Sequence, residues 1–321
     1  MVNVSVIIPF FQRKSGLLTQ AIESICRQNF AGSITVLVAN DASPIDPASE
    51  IPANLPATVR VQILNQKNAG PGAARNLGLQ HVTDSQYVAF LDSDDQWTPN
   101  HLRNAIDALD DNADLYFSNH CEPDSAIDAF SERRLLDLSQ HRHTEKGSNC
   151  YEYIGDMRDQ IIRANIIETS TVVYRWRLLD KARFNPTYRN AFEDHLFWMD
   201  LVREARSIVF STDVECNYGR GVSIWRSGGL GSANSFPKII DQLRFINTLS
   251  RADNTTATQL ESLRNIKNGV RRAFASEMLH RIKRLSGLNW HHIAAIIKLD
   301  PLLLLYFFPI SLQIATKRQA A

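Results

Sequence analysis

Short apolar runs rich in β-branched residues, each ending abruptly in polar side chains, constrain this chain more than any other feature. Val4 to Phe10 leads into Phe11-Gln12-Arg13, Ile34 to Ala39 ends in Asn40-Asp41, and Tyr87 to Leu91 ends in Asp92-Ser93-Asp94-Asp95. Continuous apolar runs of this length suit strands buried on both faces, as in a parallel sheet. Between the first two lies a helical period, from about Leu17 to Gln28, with Leu17, Leu18, Ala21, Ile22 and Ile25 on one face. Strand, helix, strand with short connections predicts a right-handed parallel crossover. An alternating edge-like strand over Val59 to Leu64 and a helix from about Gly72 to His81 continue the pattern. In such α/β sheets ligands collect beyond the carboxyl ends of the strands, where all of these polar clusters fall.

Downstream, Asp114 to Ser118 and Thr171 to Tyr174 read as further strands, and Phe192 to Val202 as a helix with Glu193-Asp194 in its first turn. Residues 120 to 165 are polar without a clear period, the pattern of a mobile lid or of irregular structure. From about Asn254 amphipathic helices take over. Nothing in the spacing marks an internal repeat or a low-complexity linker.

A chain of 321 residues, 44% hydrophobic, buries a full core without staples. Cys26, Cys121, Cys150 and Cys216 form no CxxC pair and no zinc-ligand spacing, which fits free thiols in a reducing compartment. The N-terminal Met1-Val2-Asn3-Val4-Ser5 enters a strand-like run at once, so the expected location is the cytoplasm. Residues 264 to 321 hold ten Lys or Arg against Glu277 and Asp300, a balance of +8 in a chain whose total is +1. The same tail carries Pro301-Leu302-Leu303-Leu304-Leu305-Tyr306-Phe307-Phe308-Pro309, shorter than the roughly 20 apolar residues of a spanning helix. Basic residues Arg271, Arg272, Arg281, Lys283, Arg284 and Lys298 beside this run suit an interfacial segment on the anionic inner face of the plasma membrane. A helical hairpin packed on the protein or on a second subunit is the competing reading, and an oligomer is compatible with either. No aromatic–basic interleaving points to nucleic acid.

Taken alone, the acidic cluster at Asp92 to Asp95 has two readings. It is an Asp-rich solvated turn, or it is a site where mutual repulsion of the carboxylates is relieved by a hard divalent cation with oxygen ligands. The segment Asn68-Ala69-Gly70-Pro71-Gly72-Ala73-Ala74-Arg75-Asn76-Leu77-Gly78 fails the dinucleotide pattern G-x-G-x-x-G, having Arg75 where the third glycine belongs, and no Walker A sequence occurs. As a Gly-rich turn opening a helix, it offers backbone amides and the planar cation of Arg75 to a nucleotide. His141-Arg142-His143 and His291-His292 lack any zinc pattern. Trp97 and Trp225 read as packing residues or as platforms for a sugar ring.

Taken in order, V-S-V-I-I-P-F-F, V-A-N-D-A-S, N-A-G-P-G-A-A-R-N-L-G, Y-V-A-F-L-D-S-D-D and F-E-D make residues 4 to about 205 resemble the family 2 glycosyltransferases of the GT-A fold. The short stretch Gly219-Arg220-Gly221-Val222-Ser223-Ile224 is similar to bacterial exopolysaccharide enzymes of the succinoglycan type. The resemblance implies an α/β fold with a mixed, mostly parallel sheet flanked by helices and a C-terminal helical extension. It also implies a GT-A domain over 1–250, with a nucleotide-binding half 1–118 and an acceptor half 119–250, followed by a basic, apolar helical extension over 251–321. The implied activity is inverting transfer of a hexose from a nucleotide-sugar, expected to be UDP-linked, to a lipid-linked or growing polysaccharide acceptor.

By the same resemblance Pro9, Phe11, Asp41 and Arg75 would hold the base and ribose, Asp92 would reach the ribose, and Asp94 with Asp95 would bind Mg²⁺ or Mn²⁺ at the diphosphate. Asp194 would act as the base and Glu193 as its support. The chemistry needs such groups: charge develops on the departing diphosphate, and the attacking hydroxyl must lose a proton. Two adjacent carboxylates at a helix start are also ordinary partners of the helix dipole. Many relatives carry a His after the E-D block, whereas residues 217 to 226 have none, leaving Arg220 or Arg226 to meet the diphosphate. A non-catalytic glycan- or nucleotide-binding protein on this fold and a sugar nucleotidyltransferase are the competing classes. The first has no need of a base, and the second usually presents a Gly-rich N-terminal signature that Ile8 to Arg13 lacks.

Overall fold

The computed structural model describes residues 2–110, 112–144, 149–221, 229–285 and 287–317. Within these the chain forms two compact units, Met1–Thr187 with Asp194–Val222, and Tyr188–Glu193 with Ser223–Ala321.

The first unit is an α/β sheet. β1 (Asn3–Phe10), α1 (Leu17–Cys26), β2 (Ser33–Asn40), β3 (Val59–Asn65), α2 (Pro71–Gln80) and β4 (Tyr87–Phe90) follow the expected order, with ends within a few residues of those read from the pattern. They are followed by β5 (Gln96–Trp97), α3 (His101–Asp110), β6 (Leu115–Cys121), α4 (Ala129–Arg133), β7 (Arg142–His143), β8 (Cys150–Glu152), α5 (Met157–Arg163), β9 (Val173–Arg175), α6 (Glu193–Glu204) and β10 (Ile208–Asn217). The strand order is β3-β2-β1-β4-β9-β6-β10-β8-β7. β1 pairs in parallel with β2 and β4, placing Ile8 beside Val38 and Ile7 beside Phe90. β9 is antiparallel to both β4 and β6, and β10 is parallel to β6. The carboxyl ends of β1, β2, β3, β4, β6 and β10 therefore face one edge of a mixed, mostly parallel sheet.

Val6, Ile8, Val36 and Val38 are fully buried on one face against Leu18 and Ile22 of α1. Each such side chain contributes about 1.5–3 kcal/mol through removal from water. An aromatic cluster packs around Phe90 of β4. Phe184 and Phe197 stack at 4.1 Å between centroids, and Phe184, Phe197 and Trp198 all meet the Phe90 ring edge-on. Two residues of α6, Phe197 and Trp198, thus anchor that helix to the strand that ends in the acidic cluster.

Residues 120 to 165, read as a lid or irregular stretch, instead hold packed structure in their described part. Met157, Ile161 and Ile162 of α5 are buried, and α4 is capped by the Asp128 carboxylate accepting from Ser131 N–H. β10 was not expected at all. Polar residues interrupt its apolar pattern, because its register with β6 shifts around Val214 and its Glu215 points inward. Glu215 accepts hydrogen bonds from Tyr116 Oη at 2.8 Å and Asn104 Nδ2 at 2.7 Å and meets His101 Nδ1 at 2.9 Å. A buried carboxylate is tolerated only with such partners.

The second unit contains α7 (Ser235–Ser250), α8 (Ala257–Lys283), α9 (Trp290–Leu299) and α10 (Leu303–Lys317). Leu243, Phe236, Val270 and Phe274 are buried among them. Thr256 and Gln259 form a reciprocal capping box at the start of α8. Arg271 of α8 grips Asp300, at the α9–α10 corner, through two bonds of 2.6 and 3.0 Å, with its guanidinium over Tyr306. Breaking such a buried pair costs about 3–5 kcal/mol by leaving a charge without its partner. Arg281 is likewise engaged, with Glu277. Two of the basic residues read as a membrane-facing set are therefore internal ties.

Candidate functional site

The acidic cluster sits where β4 ends, and the surrounding strands hold each carboxylate differently. Asp95 is buried. Its Oδ2 accepts from the Ser170 hydroxyl at 2.5 Å and its Oδ1 from Gly219 N–H at 2.8 Å. Burial, followed by the charges of Asp92 and Asp94, pushes its carboxyl well above the usual range. Asp94 is only partly buried, and its Oδ2 accepts from Gly221 N–H at 2.6 Å. No side chain fits at Gly219, and one at Gly221 would displace the Asp94 carboxylate and the Gln12 amide. A Cβ on Gly219 would lie 1.7 Å from the Asp94 carbonyl oxygen, and one on Gly221 2.7 Å from the Asp94 carboxylate. Ser170 also receives the Asp92 N–H at 3.0 Å, and its carbonyl accepts from Trp97 Nε1 at 2.6 Å. Trp97 is thereby a packing residue, buried beneath the cluster.

Asp92 is partly exposed and pairs with Arg75 Nη2 at 2.9 Å. Arg75 lies on α2, almost fully buried, with its guanidinium over the Phe184 ring at 5.4 Å. Its charge also reaches Asp194, at the start of α6. Burial alone would raise the Asp194 carboxyl, but His195 and then Arg75 outweigh it and bring it down to about 2. His195 Nδ1 lies 2.9 Å from Asp194 Oδ1, which also accepts the His195 N–H at 2.7 Å. Arg75 thus links the strand-end cluster to the helix-start carboxylate. Glu193, one residue earlier, is buried, and Phe192 before it has φ of 69°, a costly conformation for a bulky residue.

Asp41 is buried and fully committed to the turn that precedes α2. Its oxygens accept from Gln66 Nε2 and Ala69 N, both at 2.7 Å, from Gly70 N at 2.9 Å and from Asn68 Nδ2 at 3.1 Å. Pro9 and Phe11, at the end of β1, are partly exposed, and Gln12 beside them reaches across to Ser93 at 2.9 Å. The structure therefore brings Asp92, Asp94, Asp95, Arg75 and Asp194 together, with Pro9, Phe11 and Asp41 along the same sheet edge. Ser170, His195, Gly219 and Gly221 were not singled out as site residues. An S-T pair and an isolated G-R-G carry no chemistry on their own, although the histidine directly after E-D was visible in the sequence. Arg220 pairs with Asp124, and Trp225 and Arg226 lie outside the described residues.

Among the described residues no group of three or more His, Cys, Asp or Glu side chains forms a metal cage. The donor set nonetheless suits a hard cation, since Mg²⁺ is commonly held by one or two carboxylates with substrate phosphates supplying the remaining oxygens. Asp92 and Asp94 are the partly exposed carboxylates of the set, Asp92 already paired with Arg75, while Asp95 is buried with each oxygen accepting a hydrogen bond.

The family model for Glycosyl transferase family 2 matches residues 5–192, and the chain belongs to that family. It is 31% identical over 291 residues to the succinoglycan biosynthesis protein ExoW of Rhizobium meliloti (strain 1021), covering 88% of this chain and 90% of the relative. Among solved structures it is similar to S. aureus TarS 1-349 in complex with UDP-GlcNAc, at TM-score 0.61 and 19% identity, covering 98% of this chain and 89% of that one. The mannosyltransferase PcManGT from Pyrobaculum calidifontis in complex with GDP-Man and Mn²⁺ matches at TM-score 0.59 and 15% identity, covering 98% and 86%. The fold is GT-A.

The raised Asp95 carboxyl makes a prediction with a definite sign. A folded pKa above the unfolded value means that the native state holds its proton longer. The stabilisation is full below the unfolded value, about 3.9, and is lost as pH rises through the folded one. Metal-free protein should melt at lower temperature as pH climbs out of the carboxylate range, and Asp95→Asn should show a shallower decline. An equal or steeper decline in the variant contradicts this assignment.

Proposed function

We propose that the protein is an inverting hexosyltransferase that takes a UDP-linked sugar and transfers it to a lipid-linked or growing polysaccharide acceptor in cell-surface glycan assembly. The observation that carries this reading is the Arg75 link between Asp92 and Asp194. It joins the strand-end acidic cluster to a carboxylate with a lowered pKa at the carboxyl edge of a mixed, mostly parallel sheet. A nucleotide is held with its base near Pro9 and Phe11, over the turn that Asp41 fixes, and its ribose toward Asp92. Asp94 is the metal-ligating carboxylate, and Asp95 fixes it from behind. Asp94 would hold Mg²⁺ or Mn²⁺, which when bound would supply neutralisation of the charge on the departing diphosphate. Asp194, kept ionised by His195 and Arg75, accepts the proton of the acceptor hydroxyl as it attacks from the opposite face, with Glu193 as its support. The ExoW relationship supports an exopolysaccharide acceptor, and the nucleotide bound to TarS supports a UDP donor.

For the location we propose the cytoplasmic face of the membrane, with peripheral contact through the second unit. Leu304, Leu305, Phe308 and Leu312 of α10 are exposed, Phe308 by 78% and Leu305 by 72%. Arg272, Lys283, Arg284 and Lys298 are exposed in the same unit. Apolar side chains with surrounding cations suit an anionic bilayer surface. Among the described residues no single helix is long and apolar enough to cross a membrane, and α9 and α10 bend by 110° at their junction.

Two experiments test these readings. In a UDP-release assay with Mn²⁺ over UDP-glucose, UDP-galactose and UDP-GlcNAc, Asp94→Asn and Asp194→Asn should each lower kcat by at least about 100-fold, with Asp194→Asn retaining UDP affinity. Full activity in either variant removes that residue's role, and no turnover of any donor by the wild type removes the reading. In sedimentation with phosphatidylglycerol vesicles, Leu305→Glu/Phe308→Glu should bind several-fold more weakly; equal binding by variant and wild type contradicts membrane contact through α10.

A further inference from the structure

Beside the acidic cluster, at the carboxyl ends of β6 and β10, lies a second group of polar side chains that the donor chemistry leaves unused. His120 closes β6 and is 1% exposed, yet neither ring nitrogen has a hydrogen-bond partner. Burial holds its imidazole below its ordinary pKa, so it is neutral near pH 7 and able both to donate and to accept. Its ring stacks on Tyr218 at 4.3 Å between centroids, and Glu122 lies 3.7 Å from Nε2, beyond hydrogen-bond reach. Tyr218 Oη donates to Glu168 at 3.3 Å. Arg133 lies between the two carboxylates, 2.6 Å from Glu168 and 3.5 Å from Glu122.

This group is tied to the acidic cluster through the backbone. Tyr218 immediately precedes Gly219, whose N–H holds Asp95. Glu168 lies two residues before Ser170, whose hydroxyl holds Asp95 and receives the Asp92 N–H. A ligand here therefore sits next to the reacting end of a donor bound at Asp94. The chemistry narrows the ligand. Two carboxylates against one guanidinium disfavour phosphate, and Arg133 between them disfavours a metal ion. A neutral, hydroxyl-rich ring suits the set, since carboxylates accept from sugar hydroxyls and a guanidinium donates to them.

We propose that His120, Glu122, Arg133, Glu168 and Tyr218 form the subsite that recognises a neutral pyranose of the acceptor, an inference that rests on the glycosyl-transfer reading above. Glu168 and Arg133 contact the sugar, while His120, buried beneath Tyr218, holds that ring in place.

The test is saturation-transfer NMR on the full chain with UDP and Mn²⁺, using the methyl α- and β-pyranosides of glucose, galactose and mannose as probes. At least one glycoside should receive saturation from the wild type. Glu168→Gln and, independently, Arg133→Met should weaken its binding about tenfold or more, the effect of losing a charge-assisted hydrogen bond. UDP affinity by titration calorimetry should change less than about twofold, showing that the fold and the donor site persist. Undiminished glycoside binding in both variants, or a wild type that binds UDP but none of the six glycosides, overturns the subsite. Failure of the wild type to bind UDP overturns the donor reading instead, and the subsite with it.

Discussion

Repulsion among Asp92, Asp94 and Asp95 is the constraint around which the first unit is organised. Carboxylates this close cannot all be ionised without compensation, and each is compensated by a different element. Arg75 reaches Asp92 from α2, Gly221 donates to Asp94 from the segment after β10, and Asp95 is enclosed by Ser170 and Gly219. The contributing segments are far apart in sequence, so the site exists only once the sheet is complete. Asp92 and Asp94 stay partly exposed at that edge, a donor set that suits a divalent cation bound together with a diphosphate.

Arg75 has a second consequence. Its guanidinium is shared between the cluster and the charge environment of Asp194, and it rests on Phe184 within the aromatic group that anchors α6 to β4. Position and protonation of the proposed base are thereby coupled to the strand that carries the acidic cluster. Apolar packing at Phe90, Phe197 and Trp198 sets the geometry, and one buried cation sets the charge.

Much of this was legible in the sequence because it is local. Parallel strands announce themselves as uninterrupted apolar runs, α1 and α2 by their periods, and the acidic cluster by its place at a strand end. The fold class and the gathering of Arg75, Asp92, Asp94, Asp95 and Asp194 followed from those signals and from the family resemblance. What was not legible depends on contacts across the sheet. β10 was hidden because Glu215 breaks its pattern, and only Tyr116, Asn104 and His101 make that residue tolerable inside. Ser170 and Gly219 look ordinary until β6, β9 and β10 bring them to Asp95. Asp41, expected at the nucleotide, shows in the structure a carboxylate spent on the turn before α2. Arg271 and Arg281, counted from composition as surface cations, are consumed by Asp300 and Glu277.

The central claim is that Asp94 is the protein ligand of a cation that also binds the donor diphosphate. Anomalous diffraction at the manganese edge from crystals grown with UDP and Mn²⁺ tests it most directly. The account predicts one strong peak at coordination distance, roughly 2.0–2.2 Å, from an Asp94 oxygen and from diphosphate oxygens, with Asp95 still bonded to Ser170 and Gly219. A peak ligated elsewhere, or UDP bound at the sheet edge with no metal at Asp94, would contradict it.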